Sequence, residues 1–310
     1  MLDLKRLRVL REVAEQGSFS AAAETLFVSQ SAISQQISAL EAEVGVPLLV
    51  RLRTGPVLTD AGELLVSHAD AAICRLEQAE RELGELNGLG SGELRLISFS
   101  SASATVVAGA ARRFAVEHPE VRVSLSEGEP EEAVDRLKRG DFDVALAFDF
   151  ELYPFEEDRD IVYTHLLEER MHVALPPGHP LGDRKSIRLD ELSGERWLCG
   201  SGETSCRQLT LKSCERAGFT PDVAYESNDY TVMLALVEAG MGVTLVPDLA
   251  LMIPSPDVPM LEIEPVAPTR RVWALSLEAG SRSGATDAMV QTLREVSAEI
   301  LPAARPALAA

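Results

Sequence analysis

Apolar positions recur at helical spacing through the first quarter of the chain, and at strand spacing or in short solid runs through the rest. Leu4, Leu7, Leu10, Val13 and Ala14 mark a first amphipathic helix, with Lys5, Arg6, Arg8 and Arg11 on or near its exposed side. Residues 18–43 then divide in two. Ser18 is placed to cap a short helix whose apolar face is Ala21, Ala22 and Leu26. Helical propensity drops through Phe27-Val28, and Ser29 is placed to cap a second helix. There Ile33, Ile37, Leu40 and Val44 share one face, while Gln30, Ser31, Ser34, Gln35 and Ser38 occupy the other. Solvated helix faces usually carry Glu and Lys. An uncharged flank of amides and hydroxyls instead suits base edges in a DNA major groove, where an amide can bond adenine bidentately. The competing reading is a helical hairpin with a merely soluble outer face. After Gly45, VPLLVRLRTGPVLTDAG reads as a β-hairpin turning at Thr54-Gly55-Pro56. As a wing it would bring Arg51 and Arg53 to the phosphates. Residues 1–60 therefore predict a winged helix-turn-helix.

From residue 61 to 89 the pattern is one long helix. Leu65, Ala69, Ala72, Leu76, Ala79, Leu83 and Leu86 alternate spacings of four and three, the seam two helices need to lie along each other. A helix packed only on its own domain would also satisfy part of that pattern. The seam favours a dimer, which a pseudo-palindromic operator requires. Gly88, Gly90, Ser91 and Gly92 read as a hinge.

Residues 90–310 change texture to alternating strands and helices, which predicts a mostly parallel sheet with helices on its faces. Two α/β lobes are expected, lobe I from about 93–162 with 268–300 and lobe II from about 163–267. The segment YTHLLEERMHVALP reads as two strands, and RRVWALSL with the closing helix returns to lobe I. Ligands of open α/β sheets sit beyond the carboxyl ends of strands. Two polar turns lie there, FSSASA and CGSGETS. Ser100, Ser101 and Ser103 from one lobe, with Ser201, Gly202 and Thr204 from the other, would present hydroxyls and backbone N–H groups to an anion. Serines that only cap their own helices are the alternative.

The net charge of −20 at first argues against DNA binding. Its distribution changes that: residues 1–60 hold six Lys/Arg and seven Asp/Glu, so nearly all the acidity lies beyond the helix-turn-helix. At 310 residues, with 46% hydrophobic and 25% charged positions, the composition is that of a globular protein of about two domains. No apolar run is long enough to span a bilayer, no signal-peptide core opens the chain, and four cysteines make no disulfide framework. A cytoplasmic location is expected.

The run GSFSAAAETLFVSQSAISQQISALEAEVGVPLL, followed by LTDAG, resembles the N-terminal signature of LysR-type transcriptional regulators. RRFAVEHPEVRVSL, RLKRGDFDVALAF and LVEAGMGVTLVP are similar to the effector-binding domain of the same family, so the resemblance covers nearly the whole chain. It implies groove contacts by Gln30, Ser31, Ser34 and Gln35 and a backbone contact by Arg51 or Arg53. It also implies a linker helix at residues 61–89 and effector contacts at Ser101, Pro130, Phe148, Ser201 and Asn228. The partners implied are double-stranded operator DNA, a small-molecule effector, further copies of the chain as dimer or tetramer, and RNA polymerase. The chain departs from the family pattern at Val50, often acidic, at Pro56, often basic at the wing tip, and at Gln35, often Arg. Fewer phosphate contacts imply weaker salt-dependent affinity per subunit. Pro130 stands where some aromatic-acid sensors have a hydroxyl, and Glu127-Gly128-Glu129 makes the pocket acidic, which disfavours an aromatic carboxylate.

Two other readings remain. Peroxide-sensing relatives use two cysteines in the region of Cys206 and Cys214, spaced one residue further apart. In an intact helix these two would lie roughly 12 Å apart by rise alone, too far to bridge. A cytoplasmic solute-binding module would need only the two lobes. No catalytic or metal constellation emerges: His68, His118, His165, His172 and His179 are scattered, and no phosphate-binding glycine loop is present. Neither enzyme nor cofactor is expected.

Overall fold

The computed structural model describes residues 2–53, 55–86, 92–253, 258–278 and 283–307. The chain folds as two compact units, Met1–Gly90 with Lys138–Asp141, and Ser91–Leu137 with Phe142–Ala310.

In the first unit, α1 (Leu4–Gln16), α2 (Phe19–Thr25) and α3 (Gln30–Val44) are each capped as their sequences dictate. Asp3, Ser18 and Ser29 accept from the backbone N–H groups of Lys5, Ala21 and Ala32, and Gly17 and Gly45 end α1 and α3 in the left-handed region. The core is Leu7, Leu10, Val13, Ala22, Ala23, Ile33, Ile37, Leu40 and Leu48. In α2 the buried pair is thus Ala22 and Ala23, with Leu26 only partly covered. The wing is β1 (Leu49–Leu52) against β2 (Gly55–Leu58), antiparallel, with Arg51 opposite Pro56 and Leu52 opposite Gly55. Gly55 and Pro56 therefore belong to a strand and are not the tip; the reversal falls between Leu52 and Gly55, and Thr54 lies outside the described residues. Glu41 ties the wing to α3 by accepting from Leu48 and Leu49 N–H at 2.9 and 3.3 Å.

α4 (Asp60–Leu86) begins where Thr59 Oγ1 accepts from Gly62 N–H at 3.1 Å. Gly62 is required by contact: a Cβ there would lie 2.1 Å from the Leu48 carbonyl oxygen. Ala69 and Ile73 join the unit's core, and Leu65 packs against it. Residues 87–91, most of the expected hinge, lie outside the described residues.

The second unit opens with β3 (Glu93–Ser98) and a helix that starts at Ser100. It runs as α5 (Ser100–Ala102), a π-helical turn (Ser103–Val107) and α6 (Ala108–Glu117). Then come β4 (Arg122–Glu127), α7 (Pro130–Lys138), β5 (Val144–Phe150) and β6 (Ile161–Ala174). They are followed by β7 (Ser186–Arg188), a 3-10 turn (Leu189–Leu192), β8 (Arg196–Cys199), α8 (Ser205–Arg216), β9 (Asp222–Glu226) and α9 (Tyr230–Glu238). The chain closes with β10 (Thr244–Pro247), α10 (Asp248–Leu251), β11 (Met260–Glu264), β12 (Thr269–Leu277) and α11 (Gly284–Ala307).

Strands order as β4-β3-β5-β12-β6-β11-β7, with β10 also on β6, while β8 pairs β9. Two expectations change. YTHLLEERMHVA lies within one 14-residue strand: β12 covers its first ten residues, and β10 and β11 take its end. β6 thus passes through both lobes, and no lobe boundary falls at residue 163. The sheet is also mixed, since β12 runs antiparallel to β5 and β6, and β10 and β11 antiparallel to β6. β12 returns to lobe I, between β5 and β6.

Candidate nucleic-acid interface and interlobe site

Burying Ile33, Ile37 and Leu40 turns the opposite side of α3 outward. Gln30, Ser31, Gln35 and Ser38 are exposed and Ser34 is half-buried. Ser31 Oγ lies 3.0 Å from the capping Ser29 Oγ. Arg53 is exposed on the wing, whereas the side chain of Arg51 lies outside the described part of the structure. Arg6, expected on the basic side of α1, is drawn into an ion pair with Glu43 at 3.0 Å. The turn before α3 holds a residue the pattern did not single out. Phe27 N–H bonds Glu24 O and Val28 N–H bonds Ala23 O, a Schellman ending in which Phe27 is the left-handed residue at φ 55°. Glycine normally takes that place, because a side chain there costs about 1–2 kcal/mol. The Phe27 ring is 95% exposed.

Along α4 the seam splits. Ala69 is buried in its own unit and Leu65 partly so, while Ala72, Leu76, Ala79 and Leu83 are exposed; the Leu86 side chain lies outside the described part.

Between the lobes, Arg270 of β12 is fully buried and paired with Glu169 of β6, itself fully buried, at 2.6 Å. Its guanidinium stacks on Phe99 and Phe148 and donates to Ser101 Oγ at 3.0 Å, while Nη1 has no hydrogen-bond partner. Burial pushes the Glu169 carboxyl up, against the pull of Arg270 and of the Leu249 N–H it accepts from at 2.7 Å. Ser101 is thus a buried partner of Arg270, and Phe148 a wall of its cage. Neither faces open solvent. Ser100 is half-buried, and Ser103 Oγ donates to the Ser98 carbonyl at 3.4 Å, a local bond. Across the cleft, Asn228 Oδ1 accepts from Ser201 N–H at 2.9 Å and holds the turn before α8; Gly202 at its crest is exposed. Gly200 closes this turn so tightly that a Cβ would meet Thr204 Oγ1 at 2.6 Å, and that hydroxyl is buried without a partner.

The N-terminus of α8 already has an anion on it. Glu131, in the first turn of α7 next to half-buried Pro130, accepts from Ser205 N–H at 2.6 Å and Ser205 Oγ at 2.7 Å. A lobe I carboxylate thereby satisfies a lobe II helix end, where the helix dipole favours negative charge. Its neighbour Glu129 is pushed up to about 7, by burial first and then by Glu131 and Glu127.

Cys206 and Cys214 give no support to redox chemistry. Burial pushes Cys206 and Cys214 up to about 12, so almost no thiolate exists near neutral pH. Cys206 Sγ rests 3.6 Å from Tyr230 OH, beside a cavity of about 10 Å³ lined by Cys199, Cys206, Tyr230, Met171 and Met233, enough for one water. Among the described residues no His/Cys/Asp/Glu group is arranged for a metal, and no helix is long and apolar enough to cross a membrane.

A winged helix-turn-helix joined by a long helix to a two-lobed α/β unit defines a DNA-binding regulator with its own sensor domain. Residues 4–63 match the model of the bacterial regulatory helix-turn-helix protein, lysR family, and residues 87–298 match the LysR substrate binding domain. The chain belongs to the LysR family of transcriptional regulators. It is 31% identical over 252 residues to the regulator AlsR of Bacillus subtilis, covering 80% of this chain and 82% of that one. It is 30% identical to the regulator BudR of Raoultella terrigena, covering 83% and 88%. Full-length CbnR, a LysR family transcriptional regulator, shares the fold with TM-score 0.64 at 24% identity, over 96% of this chain and 99% of the other. OxyR from Pseudomonas aeruginosa does so with TM-score 0.68 at 22% identity, over 95% of each. Regulators of this family bind DNA and small effectors and form oligomers, and the chain is a DNA-binding transcriptional regulator with an effector-binding domain.

Proposed function

We propose that α3 reads operator bases through Gln30, Ser31, Ser34, Gln35 and Ser38 while Arg51 and Arg53 hold the phosphate backbone. Residues 1–60 form the DNA-binding domain, 61–89 the linker helix and 90–310 the effector domain. Copies of the chain associate along α4 through Leu65, Ala72, Leu76, Ala79, Leu83 and Leu86. The protein acts in the cytoplasm without catalysis of its own. Its effector is a small carboxylate or similar anion held between Ser100, Ser103 and Pro130 of lobe I and Ser201, Gly202, Thr204 and Asn228 of lobe II, with buried Ser101 and Phe148 acting from behind through Arg270. Binding one state of lobe closure better than another shifts the spacing of the helix-turn-helix units on DNA.

One observation carries the effector half: the α8 N-terminus donates two hydrogen bonds to the Glu131 carboxylate. That contact is an internal stand-in for an effector anion, and the effector must displace it. A thermal-shift panel of small carboxylates on the full chain tests this. Because a bound ligand raises the melting temperature by linkage, Glu131→Ala should give a larger shift than wild type with the same carboxylate. Equal shifts in both proteins would remove Glu131 as a competitor. Silence from every carboxylate in both would sink the anionic effector.

A further inference from the structure

The Phe27 ring sits in water at a left-handed backbone position, between α2 and the helix whose uncharged face is Gln30 and Ser31. Glycine or asparagine would relieve the backbone and remove the exposed ring together, so nothing in the unit's own stability accounts for phenylalanine here. Val28, next in the chain, is also exposed, at 47%, so an apolar spot adjoins the polar reading face. On the major-groove edge of DNA one group is apolar, the C5-methyl of thymine, and side chains such as Phe contact it.

We infer that Phe27 is a specificity-determining residue that covers a thymine methyl beside the bases read by α3, an inference that rests on α3 entering the major groove. The aromatic ring then supplies discrimination by apolar contact, next to amides that discriminate by hydrogen bonding. The left-handed turn holds the ring outside α3, two residues before its N-cap Ser29.

The test uses full-length protein and a duplex recovered by it from a random-sequence pool. Each thymine in that duplex is replaced in turn by deoxyuridine, which lacks only the methyl group. One replacement should weaken wild-type binding about fourfold, the value of one buried methyl group. Phe27→Asn should weaken binding to the parent duplex by a similar factor and be indifferent to that replacement, while its melting temperature rises. The inference is overturned if Phe27→Asn binds as wild type or responds to deoxyuridine as wild type does. It is overturned equally if Phe27→Asn weakens all duplexes alike or changes oligomeric state instead. Gln30→Ala separates the two levels: if it abolishes sequence preference while Phe27→Asn keeps the wild-type response to every deoxyuridine, α3 reads DNA and Phe27 does not. Recovery of no preferred duplex overturns both.

Discussion

Arg270 shows how a single side chain can organise a domain. With Glu169 it forms an ion pair sealed from solvent, and its third contact, Ser101, fixes the start of the α5 helix. Breaking such a pair on one side leaves an uncompensated buried charge. Glu169→Gln should therefore cost about 3–5 kcal/mol in urea unfolding, whereas the double change Glu169→Leu with Arg270→Met should cost far less. If the double change costs as much as the single one, the charges matter for more than each other. Nothing in the pattern of hydroxyls pointed to Arg270, but a signal existed. Along β12 it falls in phase with buried Val272 and Ala274, so a charge occupied a core position of an alternating strand. Phe27 carried no such signal: an aromatic between two helices reads as core, and only its left-handed backbone turns it outward.

At the level of elements, helices were more legible than strands. α1, α2 and α3 follow their apolar spacing and capping residues closely, because those cues are local. In the sequence β6 reads as two strands, because Glu168-Glu169-Arg170 looks like a break. Two of the three are exposed, and Glu169 is tolerated inside only because Arg270 lies on the neighbouring strand. Distant partners of this kind cannot be read from spacing. The Glu131–Ser205 contact was hidden for the same reason, joining residues 74 positions apart. α4 serves two purposes, packing Ala69 and Ile73 on its own unit and leaving Leu76 and Leu83 at 48% and 59% exposure. Replacing both Leu76 and Leu83 by Asp should lower the oligomeric state in sedimentation without reducing thermal stability by more than a few degrees. Unchanged mass would move the association surface elsewhere.

For the whole molecule, charge placement decides how DNA is held. A DNA-binding region of almost no net charge attached to a strongly acidic remainder cannot rely on bulk attraction. Affinity must come from a few placed cations and from base contacts. Arg53→Ala should weaken binding to cognate and random duplexes alike and reduce the salt slope by about 1 per subunit, while Gln30→Ala should weaken cognate binding alone. Equal losses on both duplexes for Gln30→Ala would take it off the base-reading surface. This division of charge was plain from the sequence, as was the order of domains, since both depend on composition and local period. The internal geometry of the sensor was not, because it is built by pairings between remote strands.

The unbroken run of β6 limits how the sensor can respond. A strand held by β12 up to Arg170 and by β10 and β11 from Met171 onward has no unpaired stretch at which to crease, so opening cannot resemble a door swinging on a loose joint. It must be shared as torsion along the strand and as slack in the short return between β11 and β12, with travel of the mouth kept small. Messages from so stiff an axle are modest rotations.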